Sequence, residues 1–157
     1  MILEKLERWI DATIASYPEA IPCSCFAEEF AGYFQPDYLA RCHFVITDEI
    51  PIPQMPELDS IGIRAFLSHP DRRTICYKQT YFIKSAVKDN RLLHFHELIH
   101  TYQWKLLGVW FFQRYFDEYH NFGYQNAPLE RMAIEMTRHY QKRLPAIDVQ
   151  SWLYGQI

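Results

Sequence analysis

The sequence predicts an α+β domain: a small sheet of short strands preceded by one helix and followed by helices to the end. Two observations carry this. The strand-like runs are confined to residues 43–83, and beyond about residue 88 every signal is helical. That segregation differs from the strand–helix alternation of a βαβ sheet. At 157 residues and 18.9 kDa, with no repeat, low-complexity tract or linker, the chain reads as one domain over residues 1–157.

Leu3, Leu6, Ile10 and Ile14 recur at steps of three and four, so residues 2–16 read as an amphipathic helix that Pro18 and Pro22 end. Residues 26–34 suggest a short helix closed by Gly32 and Pro36. His43–Thr47 is β-branched and aromatic and reads as a strand. Pro51, Pro53 and Pro56 impose an irregular loop, and Ile61–Leu67 reads as a second strand. Thr74–Tyr77 and Thr80–Ile83 complete the sheet.

Composition narrows the function. Sixteen Lys and Arg against nineteen Asp and Glu give a net charge of -3, which argues against a nucleic-acid partner. No run approaches the roughly 18 apolar residues of a membrane span, so no membrane partner is expected. The charged start, Met1 to Arg8, is unlike a signal peptide, so the expected location is cytoplasmic. Cys23, Cys25, Cys42 and Cys76 then read as reduced thiols, with a disulfide to Cys42 or Cys76 only in an exported protein. Aromatic residues make up 17% of the chain, which predicts a well-filled core and an aromatic-lined cleft. No feature of the sequence speaks to oligomeric state.

The chemistry lies in Leu92–Trp104, which contains His96-Glu97-Leu98-Ile99-His100, an H-E-x-x-H pattern. On a helix, residues four apart sit about 40° apart around the axis and one turn along it. Two imidazoles so placed converge on one Zn²⁺ at about 2.0–2.1 Å each. Glu97, about 100° from His96, reaches a water on the metal rather than the metal itself. Phe95, Leu98, Ile99, Tyr102 and Leu106 form an apolar stripe opposite Glu97, so the histidines flank a cleft. His94 projects away from that side and reads as a surface residue or as a support for the ligands.

A zinc site needs a third protein ligand. Gln103 and Leu106 stand where a metzincin would carry Gly and His, which excludes that class. Glu130, in Asn126-Ala-Pro-Leu-Glu-Arg-Met-Ala133, is the favoured candidate. Asn126 suits an N-cap and Pro128 a first turn, which places Glu130 one turn into a helix running to about Arg143. Ala133 permits that helix to approach the histidine helix closely. Asp117, Glu118 and His120 are the rivals.

These two motifs resemble those of small gluzincin-type zinc-metallopeptidase-like domains, a zincin-like family of uncharacterised function. His-Glu-Leu-Ile-His-Thr-Tyr-Gln103 is similar to its H-E-L-x-H-x-x-Q run, and Pro-Leu-Glu-Arg-Met-Ala133 to its P-x-E-x-x-A helix. The resemblance covers about residues 92–133. It implies a zincin-like fold, with the sheet packed on the H-E-x-x-H helix and further helices after it. It implies Zn²⁺ on His96, His100 and Glu130, and a peptide or protein substrate. It also implies that the last strand before the zinc helix borders the cleft and pairs with extended substrate, at about residues 73–83. The chain departs at Ile134, where thermolysin-like members carry an acidic residue that orients a histidine. Glu135 projects about 140° from Glu130, so that support must come from elsewhere.

Peptide-bond hydrolysis with Glu97 as general base is the expected activity. The tetrahedral oxyanion needs a donor, for which Tyr124 or His120 is favoured over Tyr119 and Tyr102. The alternative is a zinc-binding interaction module of the same fold with weak or no proteolysis. The apolar tail after Pro145, with Trp152, Leu153, Tyr154 and Ile157, either docks as ordinary core or lies across the cleft, as in some gluzincin-like proenzymes.

Overall fold

The computed structural model describes residues 2–59 and 62–157. The apolar rows of the first segment form α1 (Ile2–Ala15), which buries Leu6 and Ile10. A short β1 (Ile21–Pro22), a 3₁₀ turn (Cys23–Phe26) and α2 (Pro36–Arg41) follow. The helix expected at 26–34 is therefore replaced by the 3₁₀ turn and further turns. Pro36 opens a helix instead of following one, because its fixed φ suits the first helical position.

Strand β2 (His43–Ile46) leads into α3 (Pro56–Asp59) and α4 (Ile63–Leu67). The strand expected at Ile61–Leu67 is thus a helix over its described part, while Ile61 lies outside the described residues. Ile63 and Leu67, four apart, are both buried while Arg64 is exposed, which is helical rather than alternating burial. Gly62, at φ 78°, takes the left-handed conformation that turns the chain into it.

Strands β3 (Thr74–Tyr77) and β4 (Thr80–Ile83) fall where expected, and they pair as a two-residue hairpin. The sheet runs β1-β2-β4-β3 and is mixed: β2 and β4 are parallel, the other pairs antiparallel. β2 and β4 are therefore central, and β1 and β3 are the edges.

Helix α5 (Arg91–Leu107) is followed by α6 (Trp110–Phe122), α7 (Pro128–Gln141) and α8 (Val149–Gln156). α5 is the axis of the molecule: it packs on β3, β4, α6, α7 and α8, and every residue from His94 to Trp104 except His96 is buried. A helix covered on all sides must satisfy its polar side chains internally. Thr101 does so through Leu98 C=O at 2.6 Å and Tyr38 at 2.7 Å. Rings fill the rest, with Tyr38 stacked on Tyr102 at 3.7 Å and Phe95 on Tyr140 at 4.5 Å. All four cysteines are free. Among the described residues, no helix is long and apolar enough to cross a membrane.

Candidate metal centre

The Asn90 side chain starts α5 by accepting the Leu92 and Leu93 N–H groups, so His96 and His100 fall on successive turns of a well-anchored helix. Glu130 is the third residue of α7. Asn126 is exposed, and Ala127 occupies the N-cap position. The cap comes from α6, where Glu118 Oε1 accepts the Leu129 N–H at 2.8 Å and Oε2 accepts from Arg114 Nε at 2.7 Å. The fully buried Ala133 brings α7 against α5.

Three donor atoms converge across this junction. His96 Nε2 and His100 Nε2 are 3.1 Å apart, His96 Nε2 lies 3.1 Å from Glu130 Oε2, and His100 Nε2 lies 2.8 Å from Glu130 Oε1. Ligands of a tetrahedral zinc, at about 2.0–2.1 Å from the ion, are about 3.3 Å from one another. His96, His100 and Glu130 therefore form a group that could hold a metal ion.

Charge holds the group together. Burial alone would raise the Glu130 carboxyl, but His100 and His96 hold it well below the usual range. Burial opposes charge on His100, yet Glu130 and Glu97 outweigh it and lift the imidazole to about 9. His100 Nδ1 meets Gln103 Oε1 at 2.7 Å, while Gln103 Nε2 donates to the Leu129 C=O at 3.0 Å. The amide orientation requires His100 Nδ1 to be the donor, so neutral His100 presents a free lone pair on Nε2. Gln103 thus supplies the support that no acidic residue provides at 134. Tyr115, a neutral phenol kept high by burial and by Glu130, donates to Glu130 Oε1 at 2.8 Å.

Glu97 is buried beside this group. Thr74 Oγ1, on β3, donates to its Oε1, whereas its buried Oε2 has no hydrogen-bond partner. A carboxylate oxygen left so is costly unless a donor joins it. A water on a metal held by the three ligands is such a donor, so the residues present fit a metal.

The remaining candidates separate. Tyr124 and Tyr119 line the cleft over the group, Tyr124 half-exposed at its mouth. Partial burial, the Glu130 charge and a hydrogen bond to Glu130 push the Tyr124 phenol up, so it remains a donor. His120 is exposed on the last turn of α6, stacked on Phe116 and outside the cleft lining, because the helix turns its side chain away. Tyr102 is in the core, Asp117 is exposed and receives Gln113 Nε2, and Glu118 is the cap. His94 is completely buried, not on the surface. Its Nε2–H donates to the Lys88 C=O at 2.7 Å, and its Nδ1 accepts from Tyr81 at 2.6 Å. Thr74 falls in the stretch 73–83 expected along the cleft, whereas Tyr115 and Arg72 belong to no motif of the sequence. For Tyr115, the 111/115/118 spacing on α6 is the signal that marks that face.

The cleft has a volume of about 560 Å³ and is aromatic, with Phe66, Trp104, Phe111, Phe116 and Tyr119 among its walls. β3 forms one side of it. The Lys84 N–H bonds to the Arg73 C=O across the hairpin, so by antiparallel alternation Thr74 and Cys76 direct their backbone groups to the open edge. Trp104 Nε1 already donates to the Cys76 C=O at 3.1 Å. The cleft is thus bordered by β3, not by β4, the last strand before α5. Comparisons with known protein families, curated proteins and solved structures found no match to this chain.

Proposed function

We propose that the chain is a minimal zinc-dependent metallopeptidase, with Zn²⁺ held by His96, His100 and Glu130 and Glu97 as the general base. The observation that carries the reading is the unpartnered, buried Glu97 Oε2 beside a compact His–His–Glu group. Two imidazoles and a carboxylate are a zinc-type donor set, whereas Mg²⁺ and Ca²⁺ favour all-oxygen sites. Bound there, zinc would polarise a peptide carbonyl and bring the pKa of a water toward about 7.

This chain's own residues supply the rest. Glu97 takes the attacking water's proton through Oε2 and passes it to the leaving amine, while Thr74 fixes the carboxylate's rotation through Oε1. The phenol of Tyr124 donates a hydrogen bond to the oxygen on which charge develops. The open part of the β3 edge, at Thr74, receives an extended peptide by strand addition while Trp104 holds the Cys76 C=O, and the aromatic walls exclude water around it.

Elemental analysis is expected to give one zinc per chain, lost in His96→Ala. A peptide library read by mass spectrometry is expected to show cleavage that chelator abolishes. A protein that takes up no zinc would overturn the reading. A zinc-holding interaction module is the second reading. It is favoured by the Thr74 hydroxyl on Oε1, which draws charge from the base. Zinc uptake with no peptide cleaved selects it.

A further inference from the structure

We propose that Arg72 selects the substrate by receiving a carboxylate carried one or two residues C-terminal to the cleaved bond. That carboxylate is the peptide's own C-terminus or an acidic side chain. The inference rests on the peptidase reading of the same site.

Arg72 lines the cleft two residues before Thr74, and its environment is unfinished. A guanidinium has five N–H donors. Here it makes one long bond, Nη2 to the Phe66 C=O at 3.4 Å, and lies over the Phe66 ring at 5.2 Å. Its Nε is buried with no hydrogen-bond partner. The ion-paired arginines are Arg64, Arg91 and Arg114, and among the described residues Arg72 has no carboxylate partner. Among the nearby side chains that feel its charge are the neutral phenols Tyr77, Tyr115 and Tyr124. Asp71 beside it is exposed and paired weakly with His69 at 3.9 Å, and Arg73 on the same rim adds positive charge. A cation so placed in an aromatic cleft is best satisfied by a planar, bidentate acceptor.

The strand gives the direction. Thr74, through Glu97, marks the catalytic level of β3. A peptide added antiparallel to β3, the more stable pairing, runs its C-terminal side back alongside the residues before Thr74. Arg72, two residues before Thr74 and just outside β3, lies on that side.

The test uses three peptides of one sequence: a free C-terminus, an amidated C-terminus, and the amidated form with Glu two residues after the cleaved bond. Zinc-loaded wild type should favour a carboxylate-bearing peptide over the amide by about 10- to 100-fold in kcat/KM. The better of the two acids identifies the source of the carboxylate. In Arg72→Gln the preference should fall toward one, mostly through KM, and Arg72→Lys should restore part of it. No preference in the wild type overturns the proposal. So does a full preference in an Arg72→Gln protein of normal zinc content and melting temperature. Peptide binding to the Glu97→Gln protein, followed by titration calorimetry, is the arm independent of turnover. If nothing is cleaved, the peptidase reading fails. Arg72 then stands if acids bind more tightly than amides and Arg72→Gln removes the difference, and falls if they bind equally. If Arg72→Gln does not fold, the wild-type ratio and the Arg72→Lys protein decide.

Discussion

Gln103 accepts the His100 Nδ1–H at 2.7 Å and with its other end donates to the Leu129 C=O at 3.0 Å, one residue before Glu130. One amide therefore fixes a ring on α5 and the start of α7, the two elements that carry the donor group. Gln103→Leu keeps the approximate volume and removes both bonds. Zinc affinity should fall about 10- to 100-fold, as it does when a ligand histidine loses its supporting partner. The buried His100 N–H, left unpaired, should cost about 1–3 kcal/mol of stability. Competition with a chromophoric chelator and a thermal melt read the two effects, and wild-type zinc affinity would show that Gln103 only packs.

Glu97→Gln isolates the base from the metal group. The amide is nearly isosteric and can still meet Thr74, so zinc content and melting temperature should stay near wild type. It accepts no proton, so hydrolysis of any peptide that the wild type cleaves should drop about 10²- to 10⁴-fold. Equal kcat in both proteins would remove Glu97 from the mechanism.

Acidity acts on the chelator-stripped protein through the His100–Glu130 pair. The His100 imidazole, near 6.5 in an unfolded chain, is raised to about 9 in the fold. A raised value stabilises the fold fully below the unfolded value, and the contribution is lost as pH climbs from about 6.5 through about 9. Glu130 is shifted the other way, so its contribution is present above the ordinary 4.5 and lost as pH falls. This pair therefore stabilises the stripped protein most between pH 4.5 and 6.5, and its melting temperature should decline toward pH 9. Zinc uptake near pH 7.5 must displace the His100 proton, so calorimetry in buffers of different ionisation enthalpy should report about one proton released. A melting temperature that rises from pH 6.5 to 9, or a buffer-independent heat, would contradict this.

What the sequence made legible follows from how local each cause is. His96, Glu97 and His100 lie within two turns of one helix, so their spacing alone predicts that they share a flank. Glu130 could be placed because Pro128 fixes the first turn of α7. The strands His43–Ile46, Thr74–Tyr77 and Thr80–Ile83 were readable from β-branched and aromatic runs. Ile61–Leu67 misled because Ile, Phe and Leu suit a strand as well as a short helix, and a left-handed Gly62 decides between them. The remaining contacts are long-range. The cap of α7 comes from Glu118, eleven residues before Leu129, where the sequence offered the adjacent Asn126. Thr74 reaches Glu97 across 23 residues, and Tyr115 reaches Glu130 across 15. Helical or strand periodicity carries no information at those separations.

The C-terminal segment is core, not a plug. Val149 and Leu153 of α8 are fully buried against α5 and α7, and the Val149 N–H bonds to the Tyr33 C=O at 2.9 Å. Ala146 passes so close to Gly32 that a Cβ there would meet the Ala146 Cβ at 2.7 Å, so the segment is seated before α8 begins. None of residues 146–157 lines the cleft. Of the apolar side chains that suggested a covering tail, Leu153 docks in the core and Trp152 packs partly against it, while Tyr154 and Ile157 are exposed. Leu153→Ala should therefore cost about 2–5 kcal/mol, the usual range for a buried leucine. At roughly 2–4 °C per kcal/mol for a domain of this size, the melting temperature should fall by about 4–20 °C. Deleting residues 148–157 should abolish cooperative unfolding with no gain in peptidase activity. A truncated protein that melts like the full chain and cleaves peptides faster would restore autoinhibition and refute the structural role.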